Sequence, residues 1–260
     1  MAKAITITNS VFNNSGTSGA MIYACGAVTL VNVEANGNVT SGIYIQNTSY
    51  GSYNLSVTNV KTNDNRNGDG LRFVSTGAVT ARDLTALNNK QNGMHFGTNG
   101  GAEIGNFTLS GTNLFSGNSL NGLRIESAGN VSLTQVTAEK NGQSGVAAAA
   151  YAGTGTLTLN KVYANYNGGF GVAGSSNNTI LLNTVYALNN GTVADSDGIY
   201  MVQGSITATT SLLNCVMQGN TGSGLEVDTA GDRSSISINA NTTYFGNDVD
   251  DSGDPEVFIH

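Results

Sequence analysis

The segment VTLVNVEANGN (residues 28–38), followed closely by SGIYI (residues 41–45), decides the fold. Apolar and polar residues alternate in both segments, so that Val28 and Leu30 share one face and Thr29 lies on the other. A period of two is typical of short strands that present one face to a core. Asn and Gly occupy the intervening positions, and both tolerate the left-handed backbone region that tight turns require. The stretch therefore predicts three short strands separated by turns.

The same unit recurs about every 26 residues, giving about ten copies along nearly the whole chain. Stacked side-chain amides can hydrogen-bond from one unit to the next, so we expect the recurrent asparagine that closes the unit to form a ladder. Its positions are Asn38, Asn65, Asn89, Asn118, Asn141, Asn167, Asn190, Asn220 and Asn247.

A unit of three short strands cannot bury its apolar face alone, whereas stacked units share one continuous core. The sequence therefore predicts an all-β fold, a single parallel β-helix (solenoid) of about ten coils with three strands per coil, over residues 1–247. Residues 248–260 differ in composition and are predicted to be an acidic C-terminal tail.

The composition excludes several classes of protein. Charged residues make up 10% of the chain, against roughly 25% in an average soluble protein. The ten Lys and Arg residues form no basic stripe, so nucleic acid is not an expected partner. No apolar run approaches the ~20 residues of a transmembrane helix, so we expect no membrane insertion. Cys25 and Cys215 are far apart and are expected to be free thiols.

Three side chains that are basic, or can become so, occupy the outward position of the Gly-apolar-x-apolar strand in consecutive units: Arg72, His95 and Arg124. In a solenoid they would stack ~4.8 Å apart. Like charges at this spacing repel, so we expect a counter-charge, either a carboxylate such as Asp69 or Glu126 or an anionic ligand such as a uronate. Three interpretations stay open: locally paired surface charges, a groove for a polyanionic sugar, or a catalytic site whose base abstracts the proton alpha to a carboxylate.

A second candidate contact lies on another strand of the unit. Tyr163 and Tyr186 occupy its outward position in consecutive units and are predicted to stack. Exposed aromatic rings on a flat sheet can bind sugar rings, and cross-strand stacking that only stabilises the sheet explains them equally well.

The tail contains a candidate calcium site. Asp248, Asp250 and Asp254 alternate around Gly253 in a spacing that loosely follows a calcium loop. The match is incomplete, and an acidic linker without a cofactor is the alternative interpretation.

The repeats VTLVNVEANGN…SGIYI and VSLTQVTAEKN…SGVAA resemble the right-handed parallel β-helix repeats of the pectin-lyase-like superfamily, and in particular repeat segments of large bacterial surface proteins and adhesins. The resemblance covers nearly the whole chain and implies a right-handed solenoid. It leaves the function open, because the superfamily contains lyases, hydrolases, epimerases, phage tailspikes and adhesins. The Asn-Thr-Asp, Gly-His-Gly and Arg-Ile-Lys motifs of its polygalacturonase-like members do not occur in this sequence.

From this resemblance we expect a structural or adhesive module of an exported bacterial surface protein that contacts a polysaccharide. We expect it outside the cell or at the cell surface, as part of a longer protein, because the chain opens within the repeat pattern. The alternatives are a polysaccharide lyase or epimerase that acts on uronate polymers through Arg72, His95 and Arg124, and a phage tailspike module. The strand-like segment AITIT (residues 4–8) follows only three residues, so we also expect end-to-end self-association through this end.

Overall fold

The computed structural model describes residues 3–48, 51–97, 105–151, 155–192, 196–230, 235–247 and 257–259. Within these ranges the chain forms β-strands and no α-helix. The strands belong to two parallel sheets, one of 13 strands and one of 10, and each sheet runs along the length of a solenoid.

The strands of the first sheet are β1 (Ile5–Val11), β3 (Val28–Glu34), β5 (Leu55–Lys61), β7 (Val79–Leu87), β9 (Phe107–Ser110), β10 (Asn113–Ser116), β12 (Val131–Glu139), β14 (Leu157–Tyr163), β16 (Thr179–Leu188), β18 (Thr209–Leu213), β19 (Val216–Gln218), β21 (Ile236–Ile238) and β22 (Thr243–Phe245). The strands of the second sheet are β2 (Ala20–Tyr23), β4 (Ile43–Asn47), β6 (Leu71–Ser75), β8 (Met94–Phe96), β11 (Leu123–Ser127), β13 (Val146–Ala150), β15 (Val172–Ser176), β17 (Ile199–Gln203), β20 (Leu225–Asp228) and β23 (Val257–Ile259).

The predicted all-β parallel solenoid is confirmed, with one difference inside the coil. The first two predicted strands of a coil usually form one strand that bends at a residue with positive φ, such as Asn32 (φ 55°) or Asn59 (φ 51°). Pairing between β3 and β5 continues on both sides of these residues. A single left-handed residue turns the chain without ending the ladder, so a coil contributes to two sheets instead of three. Separate strands occur where the turn is longer, as between β9 and β10.

The core follows the alternation in the sequence. Val28, Leu30 and Ile43 are fully buried, and their equivalents in the other coils stack above and below them. Phenylalanines fill the middle of the rod, where the rings of Phe96 and Phe107 pack with centroids 5.2 Å apart. The core is therefore one continuous apolar column inside the coils.

The asparagine ladder is present as predicted, and its side chains are buried. At Asn141, the side-chain oxygen accepts hydrogen bonds from the backbone N–H and the side-chain amide of Asn118, both at 3.0 Å. Its own amide nitrogen donates to the Asn167 side chain at 3.0 Å and to the Phe115 carbonyl at 3.1 Å. Each asparagine thus joins neighbouring coils and satisfies backbone groups at the turn.

Strand pairing extends past residue 247, the predicted end of the β-helix. β23 pairs with β20 and adds a strand to the second sheet, so the segment predicted to be an acidic tail contributes to the β-structure. The predicted calcium ligands Asp248, Asp250 and Asp254 lie outside the described residues.

Three further properties concern the described residues as a whole. Cys25 is exposed, Cys215 is buried, and both are free thiols. No helix in the described ranges has the length and apolarity to cross a membrane. Within the same ranges, no cluster of three or more His, Cys, Asp or Glu side chains is arranged to hold a metal ion.

Candidate functional site

The strand register brings the predicted basic side chains into one column on the outer face of the second sheet. Arg72 on β6 pairs with His95 on β8, and His95 pairs with Arg124 on β11. The same column continues through the small side chains of Ala147 and Ala173. The structure therefore brings together the three residues that the sequence placed on consecutive coils.

Asp69 supplies the counter-charge for two of them. One oxygen of its carboxylate lies 3.5 Å from Arg72 Nη1 and 3.7 Å from His95 Nδ1. The other oxygen accepts hydrogen bonds from the backbone N–H and the side-chain amide of Asn92, at 2.9 and 2.8 Å. Asp69 lies directly before Gly70, which leads into strand β6. The equivalent position in the next coil is Asn92, directly before Gly93. It is thus both a structural hydrogen-bond acceptor and the anionic partner of the basic column.

The carboxyl group of Asp69 is almost completely enclosed. Burial alone raises its pKa, but the contact with His95 and the hydrogen bonds from Asn92 outweigh this effect and hold the pKa below its ordinary value. Asp69 is therefore ionised at neutral pH and offsets the charge of the neighbouring guanidinium.

His95 is enclosed between the two arginines, with 1% of its surface exposed. His95 Nδ1 lies 3.3 Å from Arg72 Nη1, which can only donate, and 3.7 Å from Asp69 Oδ2, which as a carboxylate oxygen can only accept, so the ring tautomer sets which of the two contacts is a hydrogen bond. Nε2 is buried and has no hydrogen-bond partner in the part of the chain that the structure describes. The ring therefore carries one unpaired nitrogen at the floor of the column.

Arg124 has a separate carboxylate partner, Glu126. The Arg124 guanidinium donates to Glu126 Oε1 through Nε at 3.0 Å and through Nη2 at 2.6 Å. The Arg124 side chain stays 39% exposed, whereas that of Glu126 is 12% exposed. Both carboxylates that the sequence suggested as counter-charges are thus in place, and the guanidinium of Arg124 still faces solvent.

The basic column borders a polar groove of about 540 Å³, called here the basic groove. The residues that line it are Asn67, Arg72, Lys90, Gln91, Asn92, His95, Leu120 and Arg124. Among these described lining residues none is acidic, since Asp69 lies behind the arginine and the histidine. The groove offers amide and cationic donors at one place, which is the arrangement that holds a carboxylate or a similar oxyanion.

Sequence reasoning missed the contribution of the turn to this groove. Lys90, Gln91 and Asn67 lie in turns whose lengths differ from coil to coil, so the period-two pattern does not place them. The feature of the sequence that could have indicated this contribution is the run of polar turn residues before the strand, Lys90–Gln91–Asn92.

The predicted stack of Tyr163 and Tyr186 is present and lies on the first sheet. Their ring centroids lie 5.3 Å apart with 20° between the ring planes, and Tyr163 is 39% exposed. The pair belongs to β14 and β16 and does not line the basic groove. The structure therefore separates the two ligand contacts that the sequence suggested.

Comparison with known proteins gives a family and no individual relative. A family model described as a right-handed beta helix region matches residues 69–243, about two thirds of the chain. No curated protein and no solved structure gives a significant match. The matched segment includes every residue of the basic groove except Asn67.

Proposed function

Since the chain belongs to the right-handed β-helix family, we propose that it is a stiff solenoid module that binds acidic polysaccharide through the basic groove. We place this module in an exported bacterial surface protein, outside the cell or at its surface. The observation that carries the proposal is the groove itself, where Arg72, Lys90 and Arg124 converge on one depression.

The electrostatics of the groove suit a bound carboxylate. Arg72 and Arg124 each have a carboxylate partner on the side away from the groove, so their charge is held in place without being covered. Lys90 is exposed at the rim and pairs with no acidic side chain among the described residues. A uronate can accept hydrogen bonds from these donors without displacing an internal ion pair.

The same contacts favour binding over catalysis. A lyase or epimerase needs a base that reaches a substrate C–H bond in its unprotonated form. His95 Nδ1 is in contact with Arg72 and Asp69, its Nε2 is enclosed, and each arginine is paired with its own carboxylate. These groups can hold a uronate, but they are poorly placed to take a proton from it.

The rod supports a spacing role beside the binding role. Coils ~4.8 Å apart are joined by strand ladders on two sheets and by the buried asparagine ladder. Such quasi-one-dimensional stacks are stiff along their axis, because each coil contacts its neighbours over its whole perimeter.

The proposal is tested by binding of oligogalacturonate to the parent protein and to the double variant Arg72→Gln plus Arg124→Gln. We expect calorimetry to show at least about tenfold weaker binding by the double variant, equivalent to ~1.4 kcal/mol. Added salt should weaken binding by the parent more than binding by the variant, because screening acts on the cations that the variant lacks.

The matched control is Arg82→Gln. Arg82 is 62% exposed on the first sheet and pairs with Asp83, so its loss removes one of the two charges that the double variant lacks, but from a different face. Equal binding by the parent and the double variant, or equal weakening by the control, contradicts the proposal.

A further inference from the structure

A second depression lies directly beside the basic groove and shares Arg124 with it. Its volume is about 340 Å³. Its floor is formed by β13 and β15, where the column carries Ala147 and Ala173 in place of long side chains. We call it the alanine depression. It exists because two consecutive coils have only a methyl group at a position that is filled by larger residues before and after them.

The walls of the alanine depression differ from those of the basic groove. Tyr200 closes one end and Tyr151, which is 52% exposed, lines a side. The Tyr200 ring stacks on Phe170, with centroids 5.4 Å apart and 22° between planes. Its hydroxyl donates to Asp228 at 2.5 Å, which raises the pKa of Tyr200 to about 12 and keeps the phenol protonated. The ring is therefore fixed from two sides as a rigid aromatic wall.

Glu126 closes the other end beside Arg124. Its Oε1 is taken by the guanidinium, whereas its Oε2 is buried and has no partner within the described ranges. Gly97 leaves room for this side chain, since a Cβ at position 97 would lie 2.8 Å from Glu126 Cβ. A buried carboxylate oxygen without a donor is costly. The Glu126 side chain is 12% exposed, so a rotation about its last bond brings this oxygen to the surface, where a ligand hydroxyl would donate to it.

These features do not suit a second acidic sugar. Arg124 is the one cation that lines the alanine depression within the described chain, and on this side it is paired with Glu126. A carboxylate placed here would face the Glu126 charge at close range. An uncharged sugar ring suits the alanine depression. The alanine methyl groups and the tyrosine rings would contact the C–H faces of the sugar, and Glu126 would accept hydrogen bonds from the sugar hydroxyls.

We infer that the alanine depression is a subsite for an uncharged sugar, adjacent to the acidic-sugar subsite in the basic groove. The inference rests on the proposed function and narrows it to mixed polysaccharides, in which acidic sugars are linked to neutral ones. The column positions of His95 and Ala147 are two strand spacings apart, ~10 Å along the axis, so one chain along the sheet can occupy both subsites.

The test compares two probes on the full chain by calorimetry: oligogalacturonate, which is acidic throughout, and hyaluronan oligosaccharide of similar length, which alternates an acidic sugar with a neutral one. We expect the parent to bind hyaluronan about tenfold more tightly. Ala173→Phe fills the alanine depression without changing charge and should remove this preference while leaving oligogalacturonate binding unchanged. Thr158→Phe, which points outward from the first sheet, is the matched control and should change neither.

Glu126→Gln provides an independent variant that keeps the size of the side chain. It should weaken hyaluronan binding relative to oligogalacturonate binding, because the neutral sugar loses the charged acceptor for its hydroxyl group. Circular dichroism and thermal melting confirm that each variant is folded before binding is compared.

The outcomes separate the two ideas. The inference about the alanine depression is wrong if the parent binds oligogalacturonate through Arg72 and Arg124 but shows no preference for hyaluronan. It is also wrong if Ala173→Phe weakens the binding of both probes equally. In both cases the proposed function stands. Binding of neither probe overturns the proposed function and the subsite inference with it.

Discussion

The Asp69 carboxylate and the His95 ring lie on adjacent coils with 3.7 Å between Oδ2 and Nδ1, and both side chains are 2% exposed. Arg72 contacts both of them, so a carboxylate, an imidazole and a guanidinium form one compact group under the basic groove. The group ties β8 to the turn before β6, and it positions the Arg72 guanidinium at the surface of the sheet.

Replacing Asp69 by asparagine should destabilise the protein in a pH-dependent way. The amide oxygen of Asn can still accept from Asn92, but it removes the charge beside Arg72, so we expect a loss of roughly 1–3 kcal/mol at neutral pH. The pKa of Asp69 is lowered in the folded protein, so its contribution is present above the ordinary aspartate pKa and is lost as the pH falls through the folded value. Urea unfolding at several pH values measures the difference.

The curves for parent and Asp69→Asn should converge below about pH 4. Asp83→Asn is the control, since Asp83 forms a largely exposed pair with Arg82 and should change stability little at any pH. A constant difference between parent and Asp69→Asn across the acid range would contradict the role of the ionised carboxylate.

The asparagine ladder should be a major source of stability. Asn141→Ala removes four side-chain hydrogen bonds and takes the acceptor from the buried backbone N–H of Asn118, while Asn118 Nδ2 keeps the Ala86 carbonyl and Asn167 Oδ1 keeps the backbone N–H of residue 141. Because an unsatisfied buried donor costs about 1–3 kcal/mol and the other lost hydrogen bonds contribute about 0.5–1.5 kcal/mol each, we expect a loss of about 3 kcal/mol in denaturant unfolding. Asn160→Ala is the comparison, since its side chain accepts one hydrogen bond, from Asn183, on the outer face. Similar losses for both variants would show that the ladder does not have this role.

The stacked tyrosines on the first sheet should stabilise the sheet independently of any ligand. We expect Tyr163→Ala and Tyr186→Ala each to lower stability, with a coupling energy of ~0.5–1.5 kcal/mol in a double-mutant cycle, because the rings stack across adjacent strands. Neither change should alter the binding of acidic oligosaccharides, since the pair lies away from the basic groove. Additive losses would indicate that the rings do not interact, and reduced glycan binding would make this face a second contact.

Incubation with pectate or alginate, with and without calcium, should release no unsaturated product. The reason is that His95 is enclosed and that Arg72 and Arg124 are each paired with a carboxylate. Absorbance in the unsaturated-uronate band follows the reaction. A rise that disappears in Arg124→Ala would favour the lyase interpretation.

Much of the site could be predicted from the sequence because it lies on strands. The Gly-apolar-x-apolar unit fixes which residue of each strand points outward, and parallel pairing in register then stacks Arg72, His95 and Arg124. The same logic suggested Asp69 and Glu126 as partners, and the structure has Asp69 against Arg72 and His95, and Glu126 against Arg124.

The remainder of the site depends on residues outside the repeat pattern. Lys90 and Gln91 reach the groove from a turn, and turn lengths vary between coils, so no period relates them to the strand column. The enclosure of His95 depends on the packing of both neighbouring arginines and Asp69 around the ring, which a linear pattern does not measure.

The sequence by itself determined the solenoid, its buried face and its asparagine ladder, because strand geometry repeats every two residues and stacking repeats every coil. The tertiary structure decided how each coil bends: a single left-handed residue such as Asn32 turns the chain while pairing continues, so two sheets form where the pattern suggested three. It also decided that two alanines leave a depression between Arg124 and Tyr200, since the shape of a surface depends on the side chains of several coils at once.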